Sequence, residues 1–274
     1  MHLLGTVYEF SNYSVGINVL WTDVYKKKSD IYIKEFENRE SEGVSIAESI
    51  HDLIISNFPA VERILDIHCG TGRIAIPLAR HGYKALGIDF SEPIITHAKK
   101  RGDSLNLENV DLCAGDIFDS EDRIRDFNTQ LIINWWTSIG YYGKKNDVKF
   151  FKHLRTITEP GTLFILETWH REKIISFPFT RFWSDLGEFL VFVKQNVDTF
   201  SKYVNAEHTY YNKKGDKLEL SGKFKSRIML YDVAELKKML TSCGWIVKEV
   251  FNSFLNKGAF NPLIDRVVFI CYSS

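Results

Sequence analysis

The chain has 274 residues, and its 35 Lys and Arg are matched by 35 Asp and Glu. A neutral total excludes the basic face of a dedicated nucleic-acid binder and the polybasic patch of a membrane anchor. With 45% hydrophobic and 26% charged residues the chain is globular rather than disordered, and long enough to bury a core without a disulfide or a metal.

Residues 1–44 show no clean period. They carry Tyr8, Tyr13, Trp21, Tyr25 and Tyr32, then a charged run from Glu35 to Glu40, and are expected to form an N-terminal lid segment. Ser45-Ile46-Ala47-Glu48 reads as a capping box. Ile46, Ile50, Leu53 and Ile54 follow at helical spacing, which predicts a helix to about Asn57. Strands and helices then alternate. Strands are expected over residues 63–68, 83–89, 110–114, 129–134 and 162–168, and helices over 72–81 and 145–158. Another helix opens at Ser91, has Pro93 in its first turn and Lys99-Lys100-Arg101 in its last, and should stop at Gly102. Such alternation means parallel pairing with helices on both faces of the sheet.

Residues 187–230 read differently. Lys223 to Ile228 alternates like a half-exposed antiparallel strand, and Asn212-Lys213-Lys214-Gly215-Asp216 has hairpin chemistry. An antiparallel cap inserted into the α/β domain is expected there. Asp232-Val233-Ala234-Glu235 opens a helix whose stripe is Leu236, Met239, Leu240 and Cys243, and strands over 246–251 and 266–272 close the chain. The expected architecture is therefore α/β, with helices on both faces of the sheet, split into 45–186 and 231–274 by an antiparallel β lid.

Chemistry concentrates in Ile64-Leu65-Asp66-Ile67-His68-Cys69-Gly70-Thr71-Gly72-Arg73, a strand, a glycine turn and a helix start. Small residues let the backbone approach a ligand, and the helix end offers free amides. Asp89 ends the second strand, where a carboxylate can accept both hydroxyls of a ribose. An adenosine-bearing cofactor is expected from that spacing. Gly70-x-Gly72-x-x-Ala75 with Asp89 also satisfies a loose dinucleotide fingerprint, which leaves a nicotinamide-dependent oxidoreductase open. Against it, Asp66 would repel a pyrophosphate and attract an ammonium, and His68 stands where the dinucleotide turn has its first glycine.

Together these residues resemble a class I S-adenosylmethionine-dependent methyltransferase, which implies a Rossmann-like, doubly wound seven-stranded sheet, mostly parallel with its last strand antiparallel. The family's strand-ending acid, glycine loop, second-strand acid and Gly-Asp pair fall on Asp66, Gly70 and Gly72, Asp89, and Gly115-Asp116. The run Asn134-Trp135-Trp136-Thr137-Ser138-Ile139-Gly140-Tyr141-Tyr142 is similar to the signature of a subgroup acting on small molecules, as are Trp169 to Glu172, Gly244-Trp245 and Asp265-Arg266. The resemblance implies that Asp66, Gly70 and Gly72 hold the methionine end of the cofactor. It implies that Asp89 holds the ribose, Phe90, Asp116 and Ile117 the adenine, and that Asn134 lies near the methyl donor. His68 departs from the pattern, and its imidazole is expected beside the methionine carboxylate. Pro77 departs too, early in the following helix.

Trp135, Trp136, Tyr141 and Tyr142 leave the fourth strand at its carboxyl end, where ligands bind in such sheets. Trp135, Trp136 and Tyr142 are expected to contact the methyl acceptor, with Glu167 and, from the N-terminal segment, Tyr13; Tyr25 is expected to close over the cofactor. Tyr141 and His170 are the candidate catalytic groups, His170 as the base. No Pro-Pro follows Asn134, as it does in nucleic-acid amino-methyltransferases, so a small-molecule acceptor is expected and a nucleic acid is not. The four cysteines are far apart with no C-x-x-C, so neither a zinc site nor any other metal is expected and a reducing, cytoplasmic setting is the default. Residues 1–20 lack the layout of a signal peptide, and no apolar run approaches the roughly 20 residues of a membrane span. A non-catalytic cofactor-binding scaffold remains the other reading.

Overall fold

The computed structural model describes residues 25, 29–252, 254 and 266–274. Two helices come first, Ser29–Glu37 and Glu40–Asn57. The capping box expected at Ser45 lies inside the second helix, where the Ser45 hydroxyl donates to the Ser41 carbonyl. The charged run at 35–40 is therefore helix end and helix start rather than loop, since its apolar partners are spaced too widely to show a period. Gly43 is needed within that helix, because a Cβ there would lie 2.6 Å from the Arg73 carbonyl oxygen.

The main sheet holds seven strands in the order β10-β11-β5-β4-β1-β2-β3. They are β1 (Arg63–Ile67), β2 (Lys84–Asp89), β3 (Val110–Ala114), β4 (Leu131–Asn134), β5 (Leu163–Trp169), β10 (Trp245–Phe251) and β11 (Arg266–Ser273). β11 runs antiparallel to both its neighbours, so it alone opposes the other strands. β1 and β4 are buried on both faces, which is why they read as unbroken apolar runs. Cores lie on either side. One centres on Phe151, Phe164, Leu240 and Phe269, the other on Ile50, Ile64, Leu78 and Ile133.

Two helix boundaries differ from expectation. Regular helix after the glycine turn begins at Ala75, because Gly72 has φ +73° and cannot be helical. Pro77 then falls in the first turn, where its missing N–H has no partner to lose. The helix Glu92–Ser104 runs past Gly102. That glycine is a packing position, since a Cβ would lie 3.3 Å from Val110 Cγ1.

After β5 and a short helix, Arg171–Ile175, comes a second sheet of four antiparallel strands. These are β6 (Phe179–Asp185), β7 (Phe189–Asp198), β8 (Tyr203–Lys214) and β9 (Lys217–Met229). The first of them precedes residue 187, and Gly215-Asp216 makes the β8–β9 turn. One face packs Val191, Val193, Tyr210 and Phe224 on Ile31, Tyr32 and Phe36 of the first helix. Val197, Val204 and Ile228 pack against Tyr141 and Trp169. This sheet thus covers the segments at the carboxyl ends of β4 and β5. No described helix is long and apolar enough to cross a membrane.

Candidate active site

The cleft opens at the carboxyl ends of β1, β2 and β4, where such sheets bind ligands. Its empty space, open mouth included, is about 1360 Å³.

One wall is the turn after β1. Three positions in it have positive φ: His68 (58°), Gly70 (55°) and Gly72 (73°). Gly70 faces the Phe36 ring, and Gly72 faces Ile76 and Leu112; of the two only Gly70 lines the cleft. A left-handed non-glycine residue costs on the order of 1–2 kcal/mol. The His68 ring lies on the cleft side, with its Nδ1 3.0 Å from Asn134 Nδ2 and its plane near Phe150. Burial lowers the His68 pKa to about 4, so the ring is neutral at pH 7. It can share a hydrogen bond with a carboxylate but brings no charge to it.

The acids fall where the spacing predicts. Asp66 is the next-to-last residue of β1 and accepts the Ala75 amide; burial raises its pKa to about 7, opposed by that hydrogen bond and by Arg73. Asp89 ends β2. Its Oδ2 accepts the Gly70 amide at 3.1 Å and its Oδ1 the Ser91 amide at 2.9 Å. Burial pushes its carboxyl up as well. Asp89 therefore sets the glycine turn as well as facing the cleft. Ser91 stands at the helix start, but its hydroxyl donates to the Tyr25 carbonyl at 2.6 Å, and the Tyr25 ring lies 5.7 Å from that of Phe90. Asp116 is exposed at the rim and accepts the Phe118 amide, while Ile117 is buried in the wall.

The opposite wall is the segment after β4. Asn134 is completely buried, and among the described residues its Oδ1 has no hydrogen-bond partner. Trp135 lines the cleft while stacking on Phe254 at 5.5 Å. Trp136 has φ +70° and is surrounded by the guanidinium groups of Arg266, Arg39 and Arg73 at 4.4, 4.7 and 4.9 Å from its ring centre. Gly140 (φ +89°) passes so close to β9 that a Cβ would lie 2.3 Å from the Met229 carbonyl oxygen. The Met229 amide donates back to the Gly140 carbonyl at 2.9 Å, so the cover sheet and this wall are fastened together. Tyr141 faces the cleft and hydrogen-bonds Tyr25, and burial moves its pKa up to about 12. Tyr142 is 62% exposed at the mouth.

Two expectations are corrected. Glu167 is not in the cleft wall: its carboxylate accepts the Trp136 amide at 2.9 Å and pairs with Arg266 at 2.9 Å, so it holds the wall from behind. His170 is also outside the wall. β5 runs on to Trp169, and the buried His170 stands just before the short helix after it, with Nδ1 3.2 Å from Glu172 Oε2. Burial lowers its pKa. Tyr13 lies outside the described residues.

The sequence reading missed Arg73, Asp147, Phe36 and Phe150, all of which line the cleft. Asp147 accepts the Gly140 amide at 3.0 Å and the Tyr231 hydroxyl, and burial raises its pKa to about 6. A helical acid and an arginine after a glycine look like surface residues until the chain folds over them. For Arg73 the clue was its place directly after the turn.

Known proteins agree with this geometry. A methyltransferase-domain family matches residues 64–161. An N,N-dimethyltransferase from Streptomyces venezuelae, named for dTDP-3-amino-3,4,6-trideoxy-α-D-glucopyranose, is 27% identical over 150 residues, which span 52% of this chain and 56% of that enzyme. The chain thus matches little more than half of that relative's length. In structure it is similar to an S-adenosylmethionine-dependent methyltransferase from Clostridium acetobutylicum, with TM-score 0.71, 17% identity, and coverage of 90% of this chain and 98% of that one. It is also similar to CalS10, an amino pentose methyltransferase from Micromonospora echinaspora solved with S-adenosylmethionine, with TM-score 0.64, 16% identity, and coverage of 91% and 97%. Residues 64–161 match a methyltransferase-domain family, and the chain has the fold of the class I S-adenosylmethionine-dependent methyltransferases.

Proposed function

We propose that this chain transfers a methyl group from S-adenosylmethionine to a nitrogen or oxygen atom of a small molecule. The observation that carries the reading is a single cleft with two unlike walls, an acid-lined glycine turn and an aromatic segment, under an antiparallel cover.

The residues fit the cofactor. The turn places its backbone at the cleft through three left-handed positions. The Asn134 Oδ1 and Thr71 Oγ1 atoms are buried without partners among the described residues, as expected of groups that a ligand completes. Asp89 would hold the ribose, Phe90, Asp116 and Ile117 the adenine, and Asp66 the ammonium. Gly70 would let the methionine half approach, Gly72 would set the turn, and His68 with Asn134 would lie beside that half. Bound there, the cofactor supplies an electrophilic methyl group on a sulfonium.

The chain contributes position and dryness. Tyr25, Tyr32 and Phe36 close one side beneath the second sheet. Tyr141, whose raised pKa keeps the phenol protonated, acts as a hydrogen-bond donor that orients the acceptor. Trp135, Trp136 and Tyr142 shape the acceptor's side, with Glu167 fixing Trp136 through its amide. With His170 turned away, the methylated atom must reach the cleft with a lone pair free, which suits a neutral amine. The two named relatives act on amino sugars, and that class is the first to test.

The test is turnover against a panel of small amines, amino sugars, phenols and acids, read as S-adenosylhomocysteine formed and as methylated product by mass. Turnover of an amine or hydroxyl compound is the expected result. Tight cofactor binding with no product from any class would favour the scaffold reading.

A further inference from the structure

The cover sheet has two edge strands, β6 and β9, and they are built differently. An edge strand leaves a row of backbone N–H and C=O groups unpaired, and chains blunt such an edge with lysines or a bulge. β9 has both. Lys217, Lys223, Lys225 and Arg227 stand exposed along it, and its pairing with β8 shifts register between Tyr210 and Tyr211. β6 has neither. Its seven residues pair with β7 without a shift, and Arg181 is its one cation. Along it Phe179 is 83% exposed, Trp183 63% and Phe182 46%. So much aromatic surface on an unguarded edge marks a place where another strand adds.

Arg181, Trp183 and Asp185 share the outer face of the sheet. They stand opposite Lys194, Phe192 and Leu190, while Val191 and Val193, which alternate with those residues along β7, face the first helix. Reversed on itself about Trp183, β6 is self-complementary. Antiparallel pairing of two copies sets Trp183 opposite Trp183. On either side of that pair it sets the Arg181 of one copy opposite the Asp185 of the other. Aromatic pairs and opposite charges directly across stabilise antiparallel strands. Moving the axis by one residue either way loses both charge pairs, which fixes the register. Among the described residues Arg181 meets no carboxylate within ion-pair distance, while Asp185 takes Lys213 and keeps a side chain 52% exposed.

We infer that β6 pairs with β6 of a second copy of this chain about a two-fold axis at Trp183, so that the two cover sheets run on as one. The inference stands apart from the reading of the cleft. Its consequence reaches the cleft all the same, because the inner face of this sheet packs on Phe36 of the first helix, and Phe36 lines the cleft.

Analytical ultracentrifugation of the full chain tests it. Wild type should sediment at twice the mass of the chain. Arg181→Asp, which sets acid against acid, should raise the dimer dissociation constant by at least about tenfold, and adding Asp185→Arg should return it to within about threefold of wild type. A second measurement needs no affinity. Residues directly opposite in antiparallel strands lie within disulfide reach, so Trp183→Cys should link into a two-chain species on mild oxidation while wild type does not. A wild-type chain that stays monomeric at about 100 µM overturns the inference and leaves the edge to some other chain. So does a dimer that Arg181→Asp leaves intact, a double variant as weak as the single one, or a Trp183→Cys variant that fails to cross-link. Should Arg181→Asp not fold, the cysteine variant decides alone.

Discussion

The two walls of the cleft are built by different means. The turn wall comes from one short stretch, residues 66–73, braced by Asp89 through two backbone amides. The aromatic wall is assembled from distant parts: Trp136 is held by Glu167, Arg266, Arg39 and Arg73, and Gly140 by Met229. A local motif can fix a cofactor site, whereas a site for a second molecule depends on how several segments meet. Damage to the first wall should appear in cofactor affinity, and damage to the second in turnover and stability.

The sharpest break of this contrast is Asp89→Ala. It removes the ribose acceptor and two turn contacts together, and loss of charged hydrogen bonds worth roughly 1.5–3 kcal/mol each points to a fall in S-adenosylhomocysteine affinity of about 100-fold or more. Calorimetry checks it, and Asp89→Asn should recover part of the loss. Gly140→Ala strikes the other wall. With φ +89° and a Cβ only 2.3 Å from a carbonyl oxygen, it should cost about 1–3 kcal/mol, read as a lower Tm, and should reduce turnover more than cofactor affinity.

Acidity separates the walls more gently. Asp66 in the free protein titrates near about 7, above its ordinary value. Its protonated form therefore stabilises the free fold at low pH, and that contribution fades as pH rises through about 7. A bound ammonium favours the ionised carboxylate instead. Affinity for S-adenosylhomocysteine should thus rise by about fivefold between about pH 6 and about pH 7, with proton release on binding. A flat profile would remove Asp66 from the ammonium site. The smallest effect is expected from His170→Gln, which should change kcat by no more than about twofold, since its ring lies outside the cleft.

These differences track what the sequence can reveal. The alternating strands and helices and the β8–β9 hairpin were legible because each rests on local period and turn chemistry, whereas the reversed direction of β11 followed only from the family resemblance. Asp66, Gly70 and Asp89 were legible because one turn sets their spacing. The helix Ser29–Glu37 was not, as its buried face is only Ile31, Tyr32 and Phe36 and its partners lie in a sheet formed far along the chain. Glu167 and His170 are near neighbours at the end of β5, yet one supports the wall and the other leaves it. Side-chain direction at a strand end is decided by the partners that tertiary packing brings, Arg266 for one and Glu172 for the other.

The most direct measurement is a crystal structure of the chain with S-adenosylhomocysteine. The account requires the ribose hydroxyls on Asp89 and the amino-acid half against the turn at Asp66. A ligand found elsewhere, or a cleft left empty at saturating ligand with the His68 ring across it, would contradict the account.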